Sequence, residues 1–215
     1  MIAYLDNAAT TRVWPEAAQA AVEAMTERYF NPSSRYPAAS GAAKALESDR
    51  AAVVKALGCS PRELTFTSCG TESDNWAVRA AAEYGKRKGK HIITTAIEHH
   101  AVLNPVAELE REGYEVTYLQ PTDQGTVDLA ELERALRPDT VLVSMMLVNN
   151  ELGSVLPVRE AVQIVRRSGA PALFHCDAVQ AFLKVPFTPK SLGVDLLAVS
   201  GHKVHAPKGI GAMYI

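Results

Sequence analysis

Short apolar runs alternate with longer amphipathic stretches along nearly the whole chain, and this alternation constrains the fold more than any other feature. The runs Glu63–Thr67, His91–Thr95, Glu115–Leu119, Thr140–Leu147, Ala172–His175, Asp195–Val199 and Ile210–Ile215 have the length of strands. Several are apolar throughout rather than at every second residue, as in strands covered on both faces. Between them, Pro15–Arg28, Ala39–Leu57, Thr71–Arg87, Ala101–Arg111, Asp128–Leu136 and Val158–Arg167 carry helical patterns. Pro15 suits the first position of a helix. Asp128 with Glu131 resembles a capping box, with Asp in place of Ser or Thr. Gly58 and Gly113 stand where a left-handed glycine ends a helix. Strand and helix in alternation predict an α/β fold with a mostly parallel sheet and right-handed crossovers.

Composition excludes some classes of function. The 215 residues suffice for one sizeable core or two small domains. With 47% hydrophobic and 21% charged residues, the chain reads as a soluble globular protein. Its 22 basic and 24 acidic residues give a net charge of −2 without a basic stripe, which argues against a nucleic-acid partner. No apolar run approaches the roughly 18 residues that span a bilayer. The start, Met1-Ile2-Ala3-Tyr4-Leu5-Asp6, lacks a basic region followed by an apolar one and reads as unprocessed. Cys59, Cys69 and Cys176 are too widely spaced for a CxxC pair or a disulfide framework, so a reducing cytoplasm is expected.

In parallel sheets, ligands gather outside the carboxyl ends of the strands. The residues that follow the predicted strands here are Ser68-Cys69-Gly70-Thr71, Glu98-His99, Asn149-Asn150-Glu151, Cys176-Asp177-Ala178-Val179-Gln180 and Ser200-Gly201-His202-Lys203. Polar groups thus recur five times at one topological place. Gly70 and Thr71, opening a helix, suit an anion cradle; the ordinary alternative is a helix capped by Ser68 or Thr71. Asp177 can pair with a cation such as a pyridinium nitrogen, or cap a helix over Ala178–Phe182. His99 can stack on a ring or move protons near neutral pH. A metal reading of Glu98-His99-His100 fails for want of a helical i, i+4 histidine pair. Lys203, if partly desolvated, can form imines; a solvated loop lysine is the commoner case. Gly209-Ile210-Gly211 is no dinucleotide loop, because position 214 is Tyr and no helix follows.

Taken together, these motifs resemble the class V aminotransferase group of pyridoxal-phosphate enzymes, and within it the cysteine desulfurases of the NifS/IscS type. The resemblance rests on Tyr4-Leu5-Asp6-Asn7-Ala8-Ala9-Thr10-Thr11, Asn31-Pro32-Ser33-Ser34, Phe66-Thr67-Ser68-Cys69-Gly70-Thr71-Glu72-Ser73-Asp74-Asn75 and Glu98-His99. It continues through Val148-Asn149-Asn150-Glu151-Leu152-Gly153, His175-Cys176-Asp177-Ala178-Val179-Gln180 and Ser200-Gly201-His202-Lys203. It implies a three-layer α/β/α large domain around a seven-stranded sheet over residues 13–215, preceded by a segment, 1–12, near the substrate entrance. It implies pyridoxal 5'-phosphate as cofactor, with Lys203 holding it as a Schiff base and acting as acid and base. Asp177 would pair with the ring nitrogen, Gln180 with the phenolic oxygen, and His99 would stack on the ring and shuttle protons. Asn150 would contact both cofactor and substrate. Gly70, Thr71, Ser200 and His202 would hold the phosphate, and Asn7, Ala8 and Ala9 would line the substrate side.

The implied reaction converts L-cysteine to L-alanine and passes the sulfur to an enzyme cysteine as a persulfide, for iron–sulfur or thio-cofactor assembly. A homodimer and a sulfur-acceptor or scaffold protein are the implied partners. No metal is implied. The resemblance also implies a smaller C-terminal domain that carries the persulfide-forming cysteine and a carboxylate-binding arginine; neither has a counterpart up to Ile215, and Cys69 stands where the family usually has Gly. The isolated chain is therefore expected to be inactive as a desulfurase. Two alternatives stay open: a desulfurase-inactive module that binds the cofactor or dimerises, and another class V activity such as selenocysteine lyase or aminotransferase.

Overall fold

The computed structural model describes residues 3–215. Met1 and Ile2, which belong to the stretch read as unprocessed and to the segment 1–12, lie outside the described residues. Seven strands form one sheet: β1 (Leu64–Thr67), β2 (His91–Thr95), β3 (Glu115–Leu119), β4 (Thr140–Ser144), β5 (Leu173–Asp177), β6 (Leu196–Ser200) and β7 (Gly211–Tyr214). Their spatial order is β1-β7-β6-β5-β4-β2-β3. The pairs β6/β5, β5/β4, β4/β2 and β2/β3 are parallel. Only β7 runs against its neighbours, β1 and β6.

The helices are α1 (Pro15–Thr26), α2 (Pro37–Leu57), α3 (Gly70–Gly85), α4 (His100–Arg111), α5 (Leu129–Ala135), α6 (Val158–Ser168) and the single turn α7 (Pro189–Leu192). Adjacent sheet residues feed two separate apolar layers, because successive side chains of a strand point to opposite faces. Ile92, Leu142, Leu196 and Met213 pack with Ala77, Val78 and Ala81 of α3 and Val102, Val106 and Leu109 of α4. Ile93, Val143, Leu197 and Ala212 pack with Leu57 of α2, Leu132 of α5 and Val158, Val162 and Val165 of α6. The sheet is therefore covered on both faces, as the continuous apolar runs predict.

The seven expected strands and six expected helices all form; the differences lie at their ends. The run Thr140–Leu147 leaves the regular ladder after Ser144, although Met145 and Leu147 still donate to the carbonyls of His175 and Asp177. Strand β5 runs two residues further than expected, so Asp177 is its last residue rather than a residue beyond it. No helix follows over Ala178–Phe182; the chain makes a series of turns there, and Asp177 accepts only the Val179 N–H. Asp128 caps α5 through the Ala130 N–H at 2.8 Å, without the reciprocal Glu131 contact of a capping box. The turn α7 is too short to leave a periodic trace in the sequence. Among the described residues, no helix is long and apolar enough to cross a membrane.

Candidate functional site

Because β1, β2, β4, β5 and β6 all point the same way, their carboxyl ends share one edge of the sheet. A cavity of about 310 Å³ opens there. It is lined by Gly70, Thr71, His99, Asn150, Asp177, Gln180, Ser200, His202 and Lys203, together with Ala9, Cys69, Asp74, Met146 and Val179. Five loops, far apart in sequence, thus meet around one hollow. Of the three residues expected on the substrate side, Ala9 lines the cavity and Ala8 reaches it through its carbonyl. Asn7 is exposed and does not line it.

The α3 end of the cavity is suited to an anion. Cys69 is the N-cap of α3 and makes no side-chain cap, so neither Ser68 nor Thr71 caps the helix as the ordinary alternative supposed. The helix opens at Gly70, where an added Cβ would meet Val179 Cγ2 at 2.7 Å and Ser200 Cβ at 3.4 Å. The start of α3 can pack this closely on Val179 and Ser200 only because the side chain is missing. Ser200 Oγ is buried with no hydrogen-bond partner, an unusual state for a buried hydroxyl that a ligand's acceptor would relieve. The His202 ring bonds Thr10 Oγ1 at 3.1 Å, and burial followed by the charge of Lys203 lowers its pKa.

The strand side is acidic and buried. Asp177 accepts the Val179 N–H at 2.8 Å, and burial, with Asp74 second, raises its pKa to about 7. Asp74 is one turn into α3, buried, and raised well above the ordinary value by burial alone. Its Oδ1 lies 3.3 Å from Nε2 of His175, too poorly aligned to count as a hydrogen bond. His175 Nδ1 bonds Ser144 Oγ at 2.9 Å. Burial holds His175 near pKa 4, so the imidazole is neutral and its contact with Asp74 is not an ion pair. Asp74 and His175 were not among the residues assigned a site role; a buried acid inside a helical run leaves no signal in a single sequence.

Glu98 and Asn149 frame the site. Glu98 Oε1 accepts from Thr95 Oγ1 and from Met146 N, each at 2.8 Å, which ties the end of β2 to the segment after β4. Asn149 donates to the Ile97 carbonyl and accepts the Glu151 and Leu152 N–H groups, fixing the turn that carries Asn150. His99 is the N-cap of α4, and its Nδ1 accepts the Ala101 N–H at 3.0 Å. Its proton, in the neutral form, therefore sits on Nε2.

Lys203 closes a single 3-10 turn, Gly201–Lys203, directly after β6. Its Nζ donates to the carbonyls of Ala8 and Ala9, and Gln180 Nε2 donates to the Ala8 carbonyl at 2.8 Å. Burial, then the charge of Lys184, lowers the Lys203 pKa below the ordinary lysine value. An amine with a lowered pKa is nucleophilic nearer neutral pH. A lysine, a buried acid, and an anion cradle with an orphaned hydroxyl fit the aldehyde, ring nitrogen and phosphate of pyridoxal phosphate respectively.

A doubly covered, mostly parallel sheet with this lysine-bearing strand end defines a fold-type I transferase domain. The model of the class-V aminotransferases matches residues 3–215, and the chain belongs to that family. It is 48% identical over 214 residues to a cysteine desulfurase of Trichormus azollae, covering 100% of this chain and 53% of that one. It is 47% identical over 212 residues to the cysteine desulfurase IscS of Methanosarcina thermophila, covering 99% and 52%. Among solved structures it is similar to a NifS-like protein, with a TM-score of 0.96 and 42% identity over 100% of this chain and 59% of that one. It is also similar to DndA from Streptomyces lividans, with a TM-score of 0.83 and 42% identity over 99% and 59%. The structure of SspA in complex with cysteine matches with a TM-score of 0.93 and 37% identity, over 100% and 61%. The chain spans about half the length of the curated relatives it matches.

Proposed function

We propose that this chain is the cofactor-binding portion of a cysteine desulfurase, holding pyridoxal phosphate on Lys203 for the conversion of L-cysteine to L-alanine. The observation that carries the reading is the convergence of Gly70, Thr71, His99, Asn150, Asp177, Gln180, Ser200, His202 and Lys203 on one cavity. The cofactor supplies an electron sink that weakens the bonds around the substrate's α- and β-carbons. The protein's part is to bind, orient and place protons. The free N–H groups opening α3, with Ser200 and His202, would hold the phosphate. Asp177 would pair with the ring nitrogen and favour its protonated form, and Gln180 and Asn150 would serve the phenolic oxygen. His99, with its proton on Nε2, would stack on the ring. Lys203 Nζ would serve as the base and acid for the substrate proton.

The persulfide carrier and the arginine for the substrate carboxylate are assigned to the half of the relatives' length that this chain does not span. Two of the three cysteines agree with that assignment: burial pushes the thiols of Cys59 and Cys176 up, away from the reactive thiolate. A homodimer, residues 13–215 as the large domain, the segment 1–12 beside the substrate entrance, and a sulfur-acceptor or scaffold partner complete the proposal. All three cysteines are free, which supports a cytoplasmic setting.

The test is to load the purified chain with pyridoxal phosphate beside Lys203→Ala, trap with borohydride and map the adduct by peptide mass. Visible absorbance and a pyridoxyl group on Lys203 in the wild type only are expected. Equal absorbance in both, lost equally on dialysis, overturns the assignment. No alanine release from cysteine is expected of the isolated chain; robust turnover would mean that one of its own cysteines, or an added thiol, takes the sulfur.

A further inference from the structure

The loop that carries Lys203 is held by the segment before α1, and the contacts run in order along both. Thr10 Oγ1 bonds the His202 ring at 3.1 Å. Thr11 donates twice to the His202 carbonyl, from its N–H at 2.9 Å and from its hydroxyl at 2.8 Å. The same hydroxyl accepts the His205 N–H at 2.8 Å. The His205 ring donates from Nδ1 to the Arg12 carbonyl at 2.9 Å, and its carbonyl accepts the Trp14 N–H at 3.0 Å. The rings of Trp14 and His205 stack with centroids 5.0 Å apart and planes 15° from parallel.

Two features make Thr11 the centre of this set. Its side chain is buried, in a segment that is otherwise largely exposed. His205 has φ +64°, the left-handed region that residues with a side chain rarely adopt. Such a conformation persists only when its surroundings hold it. A single hydroxyl, using its one proton and one lone pair, bridges positions 202 and 205 with Lys203 between them. Serine can do the same; valine, of equal shape, can do neither.

We infer that Thr11 is a positioning residue for Lys203: its hydroxyl staples the lysine loop at His202 and His205, holding the amine at the cavity for cofactor capture. The inference rests on the proposed function for what Lys203 captures. The staple itself does not, since the His205 amide reports on it without any cofactor.

The experiment compares wild type, Thr11→Val, Thr11→Ser and the double variant Thr11→Val/His205→Gly. One readout is pyridoxal phosphate affinity, with the rate of borohydride-trapped labelling at Lys203. The other is hydrogen exchange of the His205 amide. Losing the Thr11 hydroxyl as partner of the partly buried His205 N–H is expected to weaken affinity about tenfold in Thr11→Val, with fast exchange at His205 and unchanged exchange in β4, β5 and β6. Thr11→Ser restores both readouts. The double variant regains part of the labelling rate, because glycine adopts the left-handed conformation without help; it also serves where Thr11→Val alone does not fold. Wild-type affinity and wild-type His205 exchange in Thr11→Val overturn the inference, as does failure of Thr11→Ser to rescue. If the wild type takes up no pyridoxal phosphate at Lys203, the functional reading fails instead. The staple is then judged on the amide alone, with equal exchange in Thr11→Val and wild type sinking it.

Discussion

Helices α1 and α6 are nearly equal in length and both carry an apolar stripe, yet they end in opposite environments. In α6, Val158, Ala161, Val162, Ile164 and Val165 are buried against the sheet. In α1, Ala18, Ala21, Val22 and Met25 recur at helical spacing, but no residue of the helix is buried. Trp14, Met25, Tyr29 and Tyr36 remain exposed around it. An amphipathic pattern thus states that a face is available for burial; the partner face decides whether burial happens. The attachment of α1 to the rest of the chain is polar, running through Thr10, Thr11 and Trp14 to the lysine loop.

This contrast can be broken in three ways. The largest effect is expected in the core layer that α6 covers. Phe174 of β5 is fully buried there, and Phe174→Ala should cost about 3–5 kcal/mol of stability, read from the urea midpoint. A loss below about 1 kcal/mol would mean that the layer is not the packed core described.

The next effect is pH dependence from the buried acids. Asp177, at about 7, sits above its ordinary 3.8, so its contribution to stability is whole below pH 4 and gone above pH 7. Asp74 and Glu98 are raised well above their ordinary values and act in the same sense. His175, near 4, opposes them: its contribution is present above pH 6.5 and lost as pH falls towards 4. His91 and His202 are also lowered and act as His175 does. Above pH 6.5 the histidine contributions are complete and only the acids still change. The unliganded chain should therefore still lose stability from pH 6.5 to 7 as Asp177 gives up its proton, at roughly 1 kcal/mol per pH unit. Asp74→Asn should flatten that slope, because Asp74 helps to raise Asp177, and His175→Gln should make the slope below pH 6.5 more negative, with His91 and His202 still opposing the acids there. Melting temperatures measured across pH 4–8 decide it, and a slope unchanged by Asp74→Asn would remove Asp74 from the account.

The smallest effect belongs to α1. Met25→Lys should change stability by no more than about 0.5 kcal/mol, since nothing is buried there. The same change should reduce concentration-dependent self-association, because it breaks an exposed apolar face. Sedimentation of the two proteins over a range of concentrations checks both the face and the comparison with α6.

What the sequence determined by itself is the set of elements and the edge where chemistry gathers. Strand-length apolar runs and helical periodicity are local properties, and parallel strands separated by helices must place their carboxyl ends on one edge. Gly70, Asp177, Ser200 and Lys203 were legible for that reason, each sitting at or just beyond a strand end. Only the tertiary structure decided which residues meet across that edge. The contact of Asp74 with His175 joins a helix to a strand 101 residues later in the chain, and the Thr11 staple joins residues 191 and 194 positions apart. Desolvation is likewise a property of packing: burial at the end of β5, with Asp74 nearby, raises the Asp177 carboxyl from its ordinary 3.8 to about 7. Sequence periodicity therefore located Lys203, while long-range contacts through Thr11 set how its loop is held.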